Sequence, residues 1–179
     1  MTSAASQDEA ATHDESDETM TAVRQAVELG TSGHRAAARD ALDALWTRVG
    51  PDGDALHRCT IAHYLADLQE SVAAELAWDR RALAAVTDLT DERARRFHGS
   101  WQVRGLLPSL HLNLADGYRR LGEVGPARRH LDLARETVDA LPDDGYGTMI
   151  RAGIGNLAEA LDTGSRDPLG ARDPLDAPA

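Results

Sequence analysis

Apolar residues along the chain recur three and four positions apart, and the strict alternation of β-strands is almost missing, so the periodicity predicts an all-α fold. Ala22, Val23, Ala26, Val27 and Leu29 form one apolar stripe, and Ala37, Ala38, Ala41, Leu42, Leu45 and Trp46 form a second. Gly30 and Gly33 separate them, and Gly50-Pro51-Asp52-Gly53 closes the pair as a helical hairpin. Asp54 is placed to cap a helix that runs to about Leu68. After a turn at Gln69 to Ser71, another helix passes through Trp78 and Leu83 to about Val86. Pro108 suits a first helical position, and the helix it opens ends at Leu121 before Gly122. Gly125-Pro126 starts a partner helix that stops before Pro142, and a last helix from about Asp144 to Leu161 covers the end of the row. Three hairpins, each too short to bury its own apolar face, are expected to stack side by side.

One stretch carries a more specific pattern. Leu114-Ala115, Tyr118, Leu121-Gly122, Ala127, Leu131 and Ala134 resemble the tetratricopeptide repeat, with His111 where that family usually has Trp and with Pro142 three residues late. Ile61-Ala62, Leu65, Leu68, Ala74 and Trp78 repeat the pattern more weakly, and Leu29-Gly30 with its alanines more weakly still. Corresponding positions lie 39 residues apart from Leu29 to Leu68, 53 from Leu68 to Leu121 and 43 from Asn113 to Asn156. The family repeats at ~34. The resemblance covers most of residues 20 to 161 and is best at 108–141. It implies a right-handed α-solenoid of about three hairpins plus a capping helix.

The resemblance also implies a site. If Leu114, Ala115 and Tyr118 face the core, a turn of 100° per residue carries Ser109, Asn113, Asp116 and Arg120 to the opposite side, which in this family lines a concave groove. The same positions in the other units give Thr21, Arg24 and Glu28, then Thr60, His63 and Asp67, and finally Asn156 and Glu159. The expected partner-binding set is therefore Arg24, Glu28, Thr60, His63, Asp67, Asn113, Asp116, Arg120, Asn156 and Glu159. The carboxylate-clamp subgroup is not matched, because Cys59 and His63 stand where two of its ligand-binding groups would be. The expectation is a non-enzymatic module that takes up a peptide or helix of another protein and needs no cofactor.

Charge and composition bound the alternatives. Thirty acidic residues against nineteen basic ones, all of them Arg, give a net charge of -11, which disfavours nucleic acid. The body from Thr21 to Leu161 holds 20 acidic and 17 basic residues, so most of the excess lies outside it. Residues 1–18, rich in Ser, Thr, Ala and acids, read as a disordered tail, as do residues 162–179 with Asp167-Pro168 and Asp173-Pro174. Residues 19–161 form the domain. The N-terminus has no apolar core of a signal peptide, no run approaches the ~18 to 20 residues of a membrane span, and the single Cys59 excludes an intrachain disulfide, so a cytoplasmic chain is expected.

Two further clusters invite chemistry. His57, Cys59 and His63 could begin a metal site, with His98 or His111 to complete it, and would then make this a ligand-sensing or metal-sensing regulatory domain. Residues 88–107 exceed what the repeat needs and mix Arg93, Arg95 and Arg96 with Phe97, His98 and Trp101, either to bind an anion or a base or to pack the aromatic rings on a neighbouring hairpin. Self-association through an uncovered end of the stack is the remaining alternative. The adjacent pairs Arg80-Arg81, Arg119-Arg120 and Arg128-Arg129 sit among carboxylates and read as solvated surface ion pairs. No phosphate-loop, GxSxG or HExxH spacing occurs.

Overall fold

The computed structural model describes the backbone of residues 5–97 and 102–169, and the side chains of 18–96 and 102–169. Among these residues the fold is all-α. It comprises α1 (Ala5–Thr31), α2 (Arg35–Val49), α3 (Ala55–Asp67), α4 (Val72–Val86), α5 (Asp91–Phe97), α6 (Val103–Leu121), α7 (Val124–Glu136), a 3-10 turn at Val138–Ala140, and α8 (Gly145–Asp162).

The helix starts follow capping chemistry. Asp54 accepts from the His57 amide at 3.0 Å, Ser71 from the Ala74 amide at 3.3 Å and Asp144 from the Gly147 amide at 2.8 Å, each satisfying a donor that the first turn leaves over. Helix ends use glycine in the left-handed region. Gly50 has φ 71° and Gly122 has φ 82°, conformations that cost a side-chain-bearing residue steric strain.

Three boundaries differ from the sequence reading. Gly30 does not break α1, which continues to Thr31, and the left-handed turn falls on Gly33 instead. Helix α1 also reaches back to Ala5, through the stretch assigned above to a tail. Pro108 is not a first residue but lies inside α6, five positions after Val103. The reason is a cap from a distance: Asp91 Oδ1, at the start of α5, accepts from the Val103 amide at 2.9 Å, so the helix can begin early. Proline then removes only the bond to the Arg104 carbonyl.

Packing proceeds from neighbour to neighbour. Helix α1 packs on α2, α3 on α4 and α6 on α7, while α2 meets α3, α4 meets α6 and α7 meets α8; α1 also touches α3, and α6 touches α8. The apolar core falls into three clusters. Val23, Ala26, Leu42, Ile61 and Leu65 fill the first, between α1, α2 and α3. Ala62, Ala82, Ala85, Val86 and Leu110 fill the second, between α3, α4 and α6. Leu112, Ala127, Leu131, Ile154 and Leu157 fill the third, between α6, α7 and α8. Trp46 and Trp78 meet edge to face at 5.2 Å between the first two clusters, as core positions should.

The segment after α8 is not free of the domain. Leu169 packs against the third cluster, and Arg119 donates to the main-chain carbonyls of Ser165 at 2.6 Å and Asp167 at 2.7 Å. Residues 170–179 lie outside the described ones. No helix of the described residues is long and apolar enough to cross a membrane.

Candidate functional site

A cavity of about 570 Å³ opens between α3, α4, α6 and α8 and is closed at one end by Pro168 and Leu169. Six of the ten residues expected to bind a partner surround it: His63 and Asp67 from α3, Asn113, Asp116 and Arg120 from α6, and Asn156 from α8. Glu159 lies next door, lining with Asn156 a second cavity of about 560 Å³ along the end of α8. The other three are elsewhere. Thr60 turns its hydroxyl to the Leu56 carbonyl of its own helix at 2.8 Å, Arg24 donates to Thr21 at 2.9 Å on the exposed face of α1, and Glu28 is exposed on the same helix. Neither Thr60 of α3 nor Arg24 and Glu28 of α1 line this cavity, although the helical period groups them with the residues that do.

The polar residues of the groove differ in how free they are. Asn113 Nδ2 lies 3.5 Å from His63 Nδ1 and joins α6 to α3. Burial pushes the His63 imidazole down to about 4, so at neutral pH the ring is uncharged and can accept this amide. Arg120 is held by α4, its Nη1 lying 2.9 and 2.7 Å from the two oxygens of Glu75. Asp116 is only 1% exposed, with Oδ1 accepting from Arg119 Nε at 3.2 Å and Nη2 at 2.7 Å. Arg119 is 2% exposed, and thus a buried ion pair replaces the solvated pair read from the sequence. Asp116 and Arg120 are accordingly structural members of the wall rather than groups offered to a ligand.

The same cavity is also lined by apolar residues that the sequence reading missed. Tyr146, Met149 and Ile150 of α8 face the cavity with Leu112 of α6, and Tyr146 and Met149 are each 42% exposed, unusual for large apolar residues. The Tyr146 hydroxyl is fixed by a hydrogen bond with Ser109, and burial raises its pKa, so the phenol keeps its proton. The spacing 146, 149, 150, 153 was the available signal, for it marks one helical face. Gly153 sits on that face, where a Cβ would come within 2.8 Å of Leu112 Cδ2, and its absence lets α8 lie close to α6.

The three residues proposed to begin a metal site go to three surroundings. His57 turns towards Asp54 and Arg93, with Nε2 3.3 Å from Arg93 Nη2. Cys59 is buried in the second apolar cluster, where desolvation pushes its thiol up to about 12, leaving a protonated and weakly reactive sulfur. His63 faces the groove. Among the described residues no group of three His, Cys, Asp or Glu side chains is gathered as a metal ion would require.

The basic segment is partly committed as well. Arg93 pairs with Asp54 through a short Nε contact and Arg96 with Glu92 at 2.7 Å, so neither is a bare cation awaiting an anion. The side chains of Phe97, His98 and Trp101 lie outside the described residues. A second histidine contact emerges on α6 and α7, where His111 Nδ1 and His130 Nδ1 are 3.0 Å apart and the Tyr118 ring stacks on His130 at 5.5 Å.

No family model matches the chain, and neither does a curated protein or a solved structure.

Proposed function

We propose that this chain is a non-enzymatic interaction module of the tetratricopeptide kind, whose stacked hairpins hold a peptide segment or helix of another protein in the groove between α3, α6 and α8. The observation that carries the reading is that polar residues of three helices and exposed apolar residues of α8 line one cavity of about 570 Å³. The order of helix contacts, which skips the short α5 but otherwise sets each helix on the next, and also α1 on α3 and α6 on α8, is compatible with stacked hairpins.

Recognition then divides between two chemistries. Tyr146 and Met149 take an apolar side chain of the ligand, while the Asn113 and Asn156 amides each offer a donor and an acceptor to its main chain. Because the helices hold these groups in place before binding, little ordering cost falls on the protein. Arg120 is neutralised by Glu75, which argues against a free C-terminal carboxylate as ligand and for a neutral or mildly basic segment drawn to Asp67. With so little net charge in play, affinity falls only modestly with salt.

The test uses the immobilised chain beside a variant carrying Asn113→Ala, Met149→Asp and Asn156→Ala. A protein from the source lysate that the first retains and the second loses, and from which a segment binds the purified chain in titration with at least about tenfold better affinity than the variant, supports the groove, tenfold being ~1.4 kcal/mol of contact energy. Equal retention by both, with circular dichroism unchanged, removes it.

A further inference from the structure

The chain contains the same hexapeptide twice in succession: Arg166-Asp167-Pro168-Leu169-Gly170-Ala171 and Arg172-Asp173-Pro174-Leu175-Asp176-Ala177 share Arg-Asp-Pro-Leu and a final Ala. Residues 166–169 of the first copy occupy a built seat, in which the shared Arg, Asp and Leu each make a contact. The Arg166 guanidinium lies over Gly122, in the space where any Cβ would stand. The Asp167 carbonyl accepts from Arg119 Nη2 at 2.7 Å, and proline at 168 restricts the preceding residue away from the helical region. Leu169 enters the apolar cluster of α6, α7 and α8. Behind these contacts, Asp116 and Arg119 form an ion pair nearly without solvent exposure, whose remaining donors go to the segment rather than to the domain.

We infer that this seat is a receptor for Arg-Asp-Pro-Leu segments and that residues 172–177 are its second ligand, exchanging with 166–171 by a six-residue shift of register. The shift sets Arg172 over Gly122, the Asp173 carbonyl on Arg119 and Leu175 in the apolar cluster. Position 165 contributes a main-chain carbonyl, which Ala171 supplies equally well. Two features keep the first copy in place at rest. Ser165 Oγ accepts from the Asp167 amide at 3.3 Å, and Ala171 has no hydroxyl to replace it. The tether from α8 also grows from about three residues to about nine, which disfavours the second register about fivefold by loop closure. The inference does not rest on what the groove binds, although Pro168 and Leu169 also line that groove.

The test is a set of substitutions in the full chain: Leu169→Ser, Leu175→Ser and both together, read by thermal midpoint and by the Arg119 Nε–H resonance. The inference expects Leu175→Ser to change neither. Leu169→Ser should lower the midpoint by less than half the fall in the double variant and keep the Arg119 resonance near its original shift, because the second copy takes the seat. A free peptide of residues 170–177, added to the double variant, should return the resonance towards that shift. If Leu169→Ser alone matches the double variant, or if the peptide leaves the resonance unmoved, the second copy is not a ligand and the inference fails. Circular dichroism should be unchanged throughout, since the substitutions lie after α8.

Discussion

Individual ionisable side chains set how this domain responds to pH. Burial pushes His63 down to about 4; burial, with the charges of His111, Arg129 and Arg80, pushes His130 to the same level; and burial outweighs Glu136 in lowering His111. The facing Nδ1 atoms of His111 and His130 add a geometric reason, for one must donate and the other accept, and protonating both would set two N–H groups against each other. Each folded-state value lies below the unfolded 6.5, so the unfolded chain binds more protons between about 4 and 6.5. Their contribution is complete above pH 6.5 and is lost as pH falls from there towards 4, at up to about 1.4 kcal/mol per pH unit for a site such as His63. Urea denaturation across pH 4 to 7.5 should show this slope, and His63→Gln should flatten it by one proton's share. Arg119 makes the second residue-scale case. Arg119→Met removes the closer of the two cations beside the buried Asp116 carboxylate, leaving Arg120 Nη1 at 3.7 Å, and should cost about 3 kcal/mol in urea unfolding, whereas Asp116→Leu combined with Arg119→Met should recover part of that loss. Neither property was readable from the sequence, because an arginine three residues after an aspartate on a helix resembles any surface pair. Residues 165–167, which return to accept from Arg119, are not neighbours that a local window would reveal.

At the scale of elements, local chemistry announced most of the boundaries. Asp54, Ser71 and Asp144 each precede an apolar run and each caps a helix, and Gly50 and Gly122 end helices with a left-handed residue. Helix α6 broke the local rule, since its first amide is satisfied by Asp91, twelve residues earlier and in another helix. Such a partner has no signature in a window of neighbouring residues, so proline drew the predicted start forward to 108. Asp91→Ala should therefore fray the turn from Val103 to Leu106 at a cost of about 0.5–2 kcal/mol, the range of a lost cap. Hydrogen exchange at these amides should accelerate while Asn113 to Leu121 stay protected, and equal protection throughout would deny Asp91 this role. The candidate groove was legible to the same partial degree. Its polar residues follow from helical period alone, but its apolar ones require knowing that α8 packs against both α6 and α7, which the spacing within α8 does not announce.

For the molecule as a whole, three apolar clusters in a row raise the question of how they unfold as one. The second and third meet at α6, where Leu110 belongs to one and Leu112 to the other, so a single rigid helix couples them. The first and second have no shared helix axis of that kind beyond α3; instead Trp46 and Trp78 contact both clusters and meet edge to face at 5.2 Å with planes 87° apart. An edge-to-face pair adds about 0.5–1.5 kcal/mol beyond its buried area, and that energy sits at the junction where helix pairs must act together. Where one cluster adjoins the next through a pair of side chains, the energy of that junction adds to the cooperativity between them. Trp46→Ala should therefore do more than lower stability. It should separate the row into two, with amides of α1 and α2 opening at a lower denaturant concentration than those of α6 to α8, and with a reduced m-value for the whole chain because less surface is exposed in each step. Leu131→Ala, inside the third cluster and far from any junction, is the control: it should cost about 2–5 kcal/mol of packing and lower the midpoint accordingly while the chain still unfolds in one transition. If the tryptophan variant also keeps a single transition at full m-value, the junction is not what binds the clusters together, and α3 alone carries the coupling.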